Sequence, residues 1–193
     1  MTKVKVVVAG FRGRMGSEAL RMIEKHDDLE LVAGLDMENA GQKVKDISGL
    51  PNFEATIYTN IDQCLQDVQA DVLIDLTTPE VGYLHTKTAI EYGVRPVVGT
   101  TGFTSEQLAE LTDLAEARGV GAVIAPNFAI GAVLMMEFSK WAAKYFPDVE
   151  IIEKHHDQKL DAPSGTAVKT AELIKEERQS KQQGHPDEKE TLP

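Results

Sequence analysis

The sequence predicts an α/β protein, a parallel sheet with helices on both faces, followed by a smaller α+β region. Three observations carry that prediction. Over the first two-thirds of the chain, short and nearly uninterrupted apolar runs alternate with helical stretches, as strands buried on both faces and joined by crossover helices require. The first apolar run leads into a glycine-rich turn and a helix start. The second ends on an acidic residue at the distance expected of a dinucleotide-binding βαβ unit.

The predicted strands are Val4–Ala9, Leu29–Asp36, Asp71–Leu76, Pro96–Gly99 and Gly121–Ala125. Between the first two, Met15, Ala19, Met22 and Ile23 recur at i, i+4, i+7 and i+8, which places them on one helical face. A further helix starts after Pro79 and ends at Gly93. Thr104 with Gln107 three positions on forms a capping box for the next, and Gly119 closes it. Beyond Asn127 the character changes. A helix is predicted from about Ile130 to Phe146, then a strand at Val149–Lys154, a polar loop, and a helix from Ser164 to Glu177. The boundary is placed near Pro126, giving domains 1–126 and 127–193. The stretch Glu176–Pro193 is charged and poor in large apolar residues, so it reads as a solvated tail.

The chain has 193 residues, of which 42% are hydrophobic and 26% charged; that is a globular balance with material for a sizeable core. A net charge of −11 argues against broad binding to a phosphate backbone, so no nucleic-acid partner is expected. A small anion remains possible, because helix N-termini and local basic residues hold anions inside acidic proteins. The single cysteine, Cys64, lies in a helix-like setting and reads as a small buried side chain. No apolar stretch reaches the roughly 20 residues of a membrane span, and Val4–Ala9 lacks cleavage-site logic. The expected location is therefore cytoplasmic.

The run Ala9-Gly10-Phe11-Arg12-Gly13-Arg14-Met15-Gly16 places three glycines between the first strand and its helix. Gly10 suits a tight turn, and Gly16 suits close packing of helix on strand. The backbone N–H groups between them suit a pyrophosphate. Asp36 follows Gly16 by 20 residues, where a carboxylate accepts from a ribose 2′-hydroxyl. This is the pattern of a Rossmann-type nucleotide site. One departure matters: Arg12 stands where the second glycine of G-x-G-x-x-G is usual, so Gly13 is expected to take the close approach. Arg12 is then either an exposed loop residue or a guanidinium for the 2′-phosphate of NADPH. Further turns leave the same predicted sheet edge: Thr77-Thr78-Pro79, Gly99-Thr100-Thr101-Gly102, and Ala125-Pro126-Asn127-Phe128. Their hydroxyls and small residues suit the ribose and carboxamide of the nicotinamide half. Thr100 is also a candidate for contact with substrate.

The stretch Glu153-Lys154-His155-His156-Asp157-Gln158-Lys159-Leu160-Asp161-Ala162-Pro163-Ser164-Gly165-Thr166-Ala167 gathers two histidines and a lysine in a polar loop before a helix start. Histidine handles protons near neutral pH, and the N–H groups of a helix start seat a carboxylate. Ser164, Gly165 and Thr166 are candidates for that seat. No metal is expected, because adjacent histidines on an extended segment point to opposite faces and no cysteine or third histidine lies at ligand spacing.

From His155 to Ala167 the sequence resembles the H-H-x-x-K-x-D-A-P-S-G-T-A signature of the bacterial dihydrodipicolinate reductases, and the glycine-rich turns fall in that family's order. The resemblance implies an NADH- or NADPH-dependent reductase of 4-hydroxy-tetrahydrodipicolinate, a small cyclic dicarboxylate of the diaminopimelate route to lysine. It implies proton transfer by His155 and Lys159, and substrate binding by His156, Gly165 and Thr166. It also implies that residues 1–126 bind the dinucleotide, and that 127–193 bind substrate and build a homotetramer. Family members continue with further substrate-domain strands, so this chain is expected to be a truncated form with an incomplete second domain. Two other readings stay open. A homoserine-type dehydrogenase explains the first 125 residues but not the His-His loop, and a catalytically silent nucleotide sensor needs only the first domain.

Overall fold

The computed structural model describes residues 2–155, 157 and 162–179. It divides into two compact units, one ending at Ala125 and one beginning at Pro126.

In the first unit six strands form one wholly parallel sheet in the order β3-β2-β1-β4-β5-β6. The strands are β1 (Val4–Ala9), β2 (Leu29–Leu35), β3 (Thr56–Tyr58), β4 (Val72–Asp75), β5 (Arg95–Val98) and β6 (Val123–Ile124). Helices α1 (Arg14–Lys25), α2 (Ile61–Asp67), α3 (Pro79–Glu91) and α4 (Ser105–Arg118) make the crossovers. The reversal of direction between β1 and β4 is the switch point at which doubly wound sheets open a ligand crevice. The apolar run of β1 divides between two cores, as alternation along a strand requires. Val7 and Ala9 pack with Leu35, Leu73, Cys64 and Ala89 on one face. Val6 and Val8 pack with Phe11, Leu20, Ile23 and Ile57 on the other. Cys64 is fully buried, and desolvation pushes its thiol up to about 12, so it is an inert core side chain.

The capping box lies where the sequence places it: the Thr104 hydroxyl accepts from Gln107 N at 3.2 Å, and Gln107 Oε1 accepts from Thr104 N at 2.9 Å. Gly119 ends α4 at φ 64°, the left-handed conformation glycine adopts without strain.

Other expectations need correction. The inward face of α1 is Gly16, Leu20 and Ile23, whereas Met15 and Met22 are exposed. The phase is set by Gly16: a Cβ there would lie 2.1 Å from Gly10 O and 2.5 Å from Phe11 Cα, so this position must face the turn. Strand β3 was not anticipated. It has three residues at a sheet edge with only Ile57 buried, too little for a periodic signal.

In the second unit, α5 (Ile130–Ala142) and α6 (Gly165–Glu177) pack together around Met136, Ala143, Leu173 and Ile174. Lys140 and Lys144 pair with Glu176 and Glu177 at 2.7 and 3.2 Å. Helix α5 stops before Phe146, and Val149–Lys154 forms no strand. A strand exists only through a neighbour's ladder, and the described residues of this unit contain no other strand.

Candidate active site

The nucleotide edge is assembled where β1, β2, β4 and β5 end. Gly10 has φ 73°, and a Cβ on it would meet Leu76 O at 2.7 Å. The turn therefore lies against the end of β4 and tolerates no side chain there. Gly13 is the N-cap of α1 and offers no side-chain acceptor to the first turn of the helix. Glycine is required less at Gly13 than at its neighbours, since its nearest contact would be Gly10 O at 3.2 Å. Within the protein, the tightest backbone packing is at Gly10 and Gly16.

The Phe11 side chain is fully buried beneath Gly34, so only its backbone is available to a cofactor. Met15 is 55% exposed, and Arg14 is exposed on the first turn of α1. Asp36 lies just beyond β2 and is half-buried. The Arg12 guanidinium approaches it at 3.5 Å and Glu38 at 2.8 Å. A 2′-phosphate would have to draw Arg12 away from Glu38, whereas a 2′-hydroxyl can donate to Asp36 directly. Nearby, Lys43 Nζ is occupied by the Thr56 hydroxyl at 2.8 Å.

Asp75, at the end of β4, was not singled out from the sequence. It is fully buried, and its Oδ1 accepts from the Thr77 hydroxyl at 2.7 Å, Thr77 N at 3.1 Å and the Thr100 hydroxyl at 3.1 Å. Its Oδ2 lies 2.7 Å from His85 Nδ1 on α3. The one available signal was a carboxylate ending an otherwise apolar run, because such a group is buried only with partners. Thr100, expected as a substrate contact, is 6% exposed with its hydroxyl given to Asp75. Thr101 is half-buried, and Gly99 N bonds Asp75 O at 2.9 Å. Ala125 closes this unit, its N–H bonded to Val98 O at 2.9 Å.

In the second unit, Ser164 caps α6 by accepting from Ala167 N at 3.1 Å. The N–H groups of Gly165 and Thr166 precede the capped one and have no intrahelical acceptor. Asn127 Nδ2 donates to the Thr166 hydroxyl at 3.2 Å, and Asn127 Oδ1 accepts from Ala129 N at 2.8 Å. Pro126 is half-buried and Phe128 is 45% exposed.

Glu153 ties this helix start to the histidine. Its Oε1 accepts from Ser164 N at 2.9 Å, and its Oε2 lies 3.0 Å from His155 Nε2. Hydrogen bonds from the Ser164 hydroxyl and N–H, then from His155, hold the Glu153 carboxyl down at about 2. A carboxylate only accepts, so the hydrogen of this contact is on Nε2. Glu153 was also missed in the sequence, where it reads as one more charge in a polar loop. His156, Lys159 and the tail from residue 180 lie outside the described residues.

Comparison with known proteins places this geometry. Residues 4–128 match the family model for the N-terminus of dihydrodipicolinate reductase, and residues 131–191 match that for its C-terminus. The 4-hydroxy-tetrahydrodipicolinate reductase of Oceanobacillus iheyensis is 64% identical over 191 residues, covering 98% of this chain and 72% of that protein. Its Bacillus cereus counterpart is 59% identical over 192 residues, with 100% and 72% covered. The solved structure of a dipicolinate-bound dihydrodipicolinate reductase from Paenisporosarcina sp. TG-14 superposes with a TM-score of 0.79 at 51% identity, over 99% of this chain and 72% of that one. An S. aureus homoserine dehydrogenase reaches a TM-score of 0.54 at 18% identity, over 64% of this chain and 33% of that one; it shares the fold alone.

Proposed function

The chain belongs to the dihydrodipicolinate reductase family, and on that premise we propose how its residues carry out NAD(P)H-dependent reduction of 4-hydroxy-tetrahydrodipicolinate. The observation that carries the reading is the Glu153 bridge, which fixes the His155 ring beside a helix start whose first N–H groups have no acceptor within the helix. A cyclic dicarboxylate needs both.

The glycine turn fits a dinucleotide, since Cβ atoms at Gly10 and Gly16 would fill the space the backbone requires. Gly10, Phe11, Arg12, Gly13, Arg14, Met15 and Gly16 form the turn that seats the pyrophosphate, in which Gly10 N and Gly13 N already bond Leu35 O and Gly10 O at 3.0 Å, and Asp36 takes the adenosine ribose. Thr77, Gly99, Thr100, Thr101, Ala125, Pro126, Asn127 and Phe128 hold the nicotinamide half. NADH or NADPH supplies the hydride when bound. Gly165, Thr166 and His156 neutralise the substrate carboxylates, with Ser164 shaping the helix start. His155 and Lys159 supply the proton with which the 4-hydroxyl leaves as water. Positioning and fixed charge account for most of the rate, and acid catalysis adds about 10²–10⁴-fold.

The assay is oxidation of NADH or NADPH with the freshly formed condensation product of pyruvate and aspartate semialdehyde. Activity there and none with homoserine is expected; the reverse outcome would move the chain to another dehydrogenase class. His155→Ala and Lys159→Ala are expected to lower kcat more than they weaken NADH binding, and His156→Ala to raise KM. Both cofactors are used, with kcat/KM values within about 100-fold of each other. Arg12 offsets the repulsion between Asp36 and a 2′-phosphate, and Glu38 limits that offset. A homotetrameric assembly and a cytoplasmic location complete the proposal; gel filtration and cell fractionation test them. Among the described residues no helix is long and apolar enough to cross a membrane.

A further inference from the structure

We propose that Asp75 is a positioning residue that turns the Thr77 and Thr100 hydroxyls into hydrogen-bond acceptors, so that this edge selects the carboxamide N–H of a nicotinamide. The inference rests on the assignment of these loops to the cofactor. A threonine hydroxyl has one hydrogen and two lone pairs. Both hydroxyls are donors to the same oxygen, Asp75 Oδ1, at 2.7 and 3.1 Å. Their other neighbours, Thr78 O at 3.5 Å from the Thr77 hydroxyl and Thr77 O at 3.3 Å from that of Thr100, are also acceptors, so the hydrogens are spent within the protein and what each has left to offer is lone pairs. The carboxylate has no hydrogen of its own, so it cannot reverse this polarity. His85 secures the other oxygen from α3 at 2.7 Å, and Thr77 N adds a fourth contact.

The placement matches the chemistry. In the observed strand order the glycine turn follows β1 and Asp36 follows β2, while Thr77 and Thr100 follow β4 and β5 on the far side of the switch point. A dinucleotide laid across this edge, with its adenosine ribose on Asp36, brings its nicotinamide half to the threonines. The donors on that half are the carboxamide N–H groups and the ribose hydroxyls. A substrate carboxylate carries only acceptors and would face lone pair against lone pair. Gly82 of α3 packs directly on this network: a Cβ there would lie 3.1 Å from Asp75 Oδ1 and 3.3 Å from Thr100 Cβ.

The test compares three ligands by fluorescence or calorimetric titration: NADH, its 3-acetylpyridine analogue, which lacks the carboxamide N–H, and ADP-ribose, which lacks the ring. The unaltered protein is expected to bind NADH about tenfold or more tightly than the analogue. Asp75→Asn, which can present a donor to the hydroxyls and reverse them, is expected to abolish that preference while leaving ADP-ribose affinity within about twofold. A merely structural role would weaken ADP-ribose as much as NADH, and that result would overturn the proposal. So would an Asp75→Asn protein that keeps the full preference. If Asp75→Asn does not fold, Thr77→Val, which keeps the shape and removes one acceptor, must reduce the preference; an unchanged preference refutes the proposal. Failure of the unaltered protein to bind ADP-ribose at all would remove the cofactor assignment of the edge itself, and this inference with it.

Discussion

The two units of this chain solve burial in opposite ways. In the first, a twisted parallel sheet covered on both faces encloses Val7, Val8, Phe11, Leu20, Leu35, Ile57 and Leu73 with almost no exposure. In the second, two helices pack on each other and leave Ile130, Phe138, Trp141, Tyr145, Phe146 and Ile152 more than 60% exposed. A sheet with helices on both sides closes its own core, whereas one helix pair has only one contact face. The first unit therefore holds its glycine turn by packing, and its Thr77 and Thr100 loops by polar links to a carboxylate buried in that packing. The second relies on polar links at half-buried and exposed positions: Glu153 to Ser164 and His155, and Asn127 to Thr166.

The largest expected effect falls on the packed turn. Gly16→Ala forces a Cβ into the backbone of Gly10 and Phe11, so it should cost about 3 kcal/mol or more and remove NADH binding; urea unfolding and titration read both. Next, Leu73→Ala in the sheet should cost about 2–5 kcal/mol, while Phe138→Ala on α5, already 62% exposed, should change stability by under about 0.5 kcal/mol. Equal costs at the two sites would erase the contrast between the units.

Acid separates the units more gently. The Glu153 carboxyl is held below its ordinary value, down at about 2, so its stabilising contribution is fully present above about pH 4.5 and is lost as pH falls toward 2. Glu153→Gln should flatten that part of the stability–pH curve and loosen hydrogen-exchange protection at the start of α6, with β1 and β4 unaffected. An unchanged acid limb would show that the bridge contributes nothing. One expected effect is a gain. Gly131 lies in α5, and a Cβ added to it would have nothing within 4 Å, so Gly131→Ala should stabilise by about 0.5–1 kcal/mol, read as a rise in the urea midpoint.

The sequence alone determined the periodic parts: β1, β2, β4 and β5 to within a residue or two, the capping box at Thr104, the helix start at Ser164, and the tight glycine turn between β1 and α1. These are local matters, in which a few neighbouring residues decide the backbone and the side-chain types declare the chemistry. Tertiary structure decided what depends on partners distant in sequence. It set the phase of α1 through Gly16, withheld a ladder from Val149–Lys154, and paired the short edge strand β3. It also turned Thr100 inward onto Asp75, 25 residues away, and brought Glu153 to Ser164 across 11. A buried carboxylate and a bridging one look like any other acid in a linear sequence; their roles come from which donors the fold brings within hydrogen-bond reach.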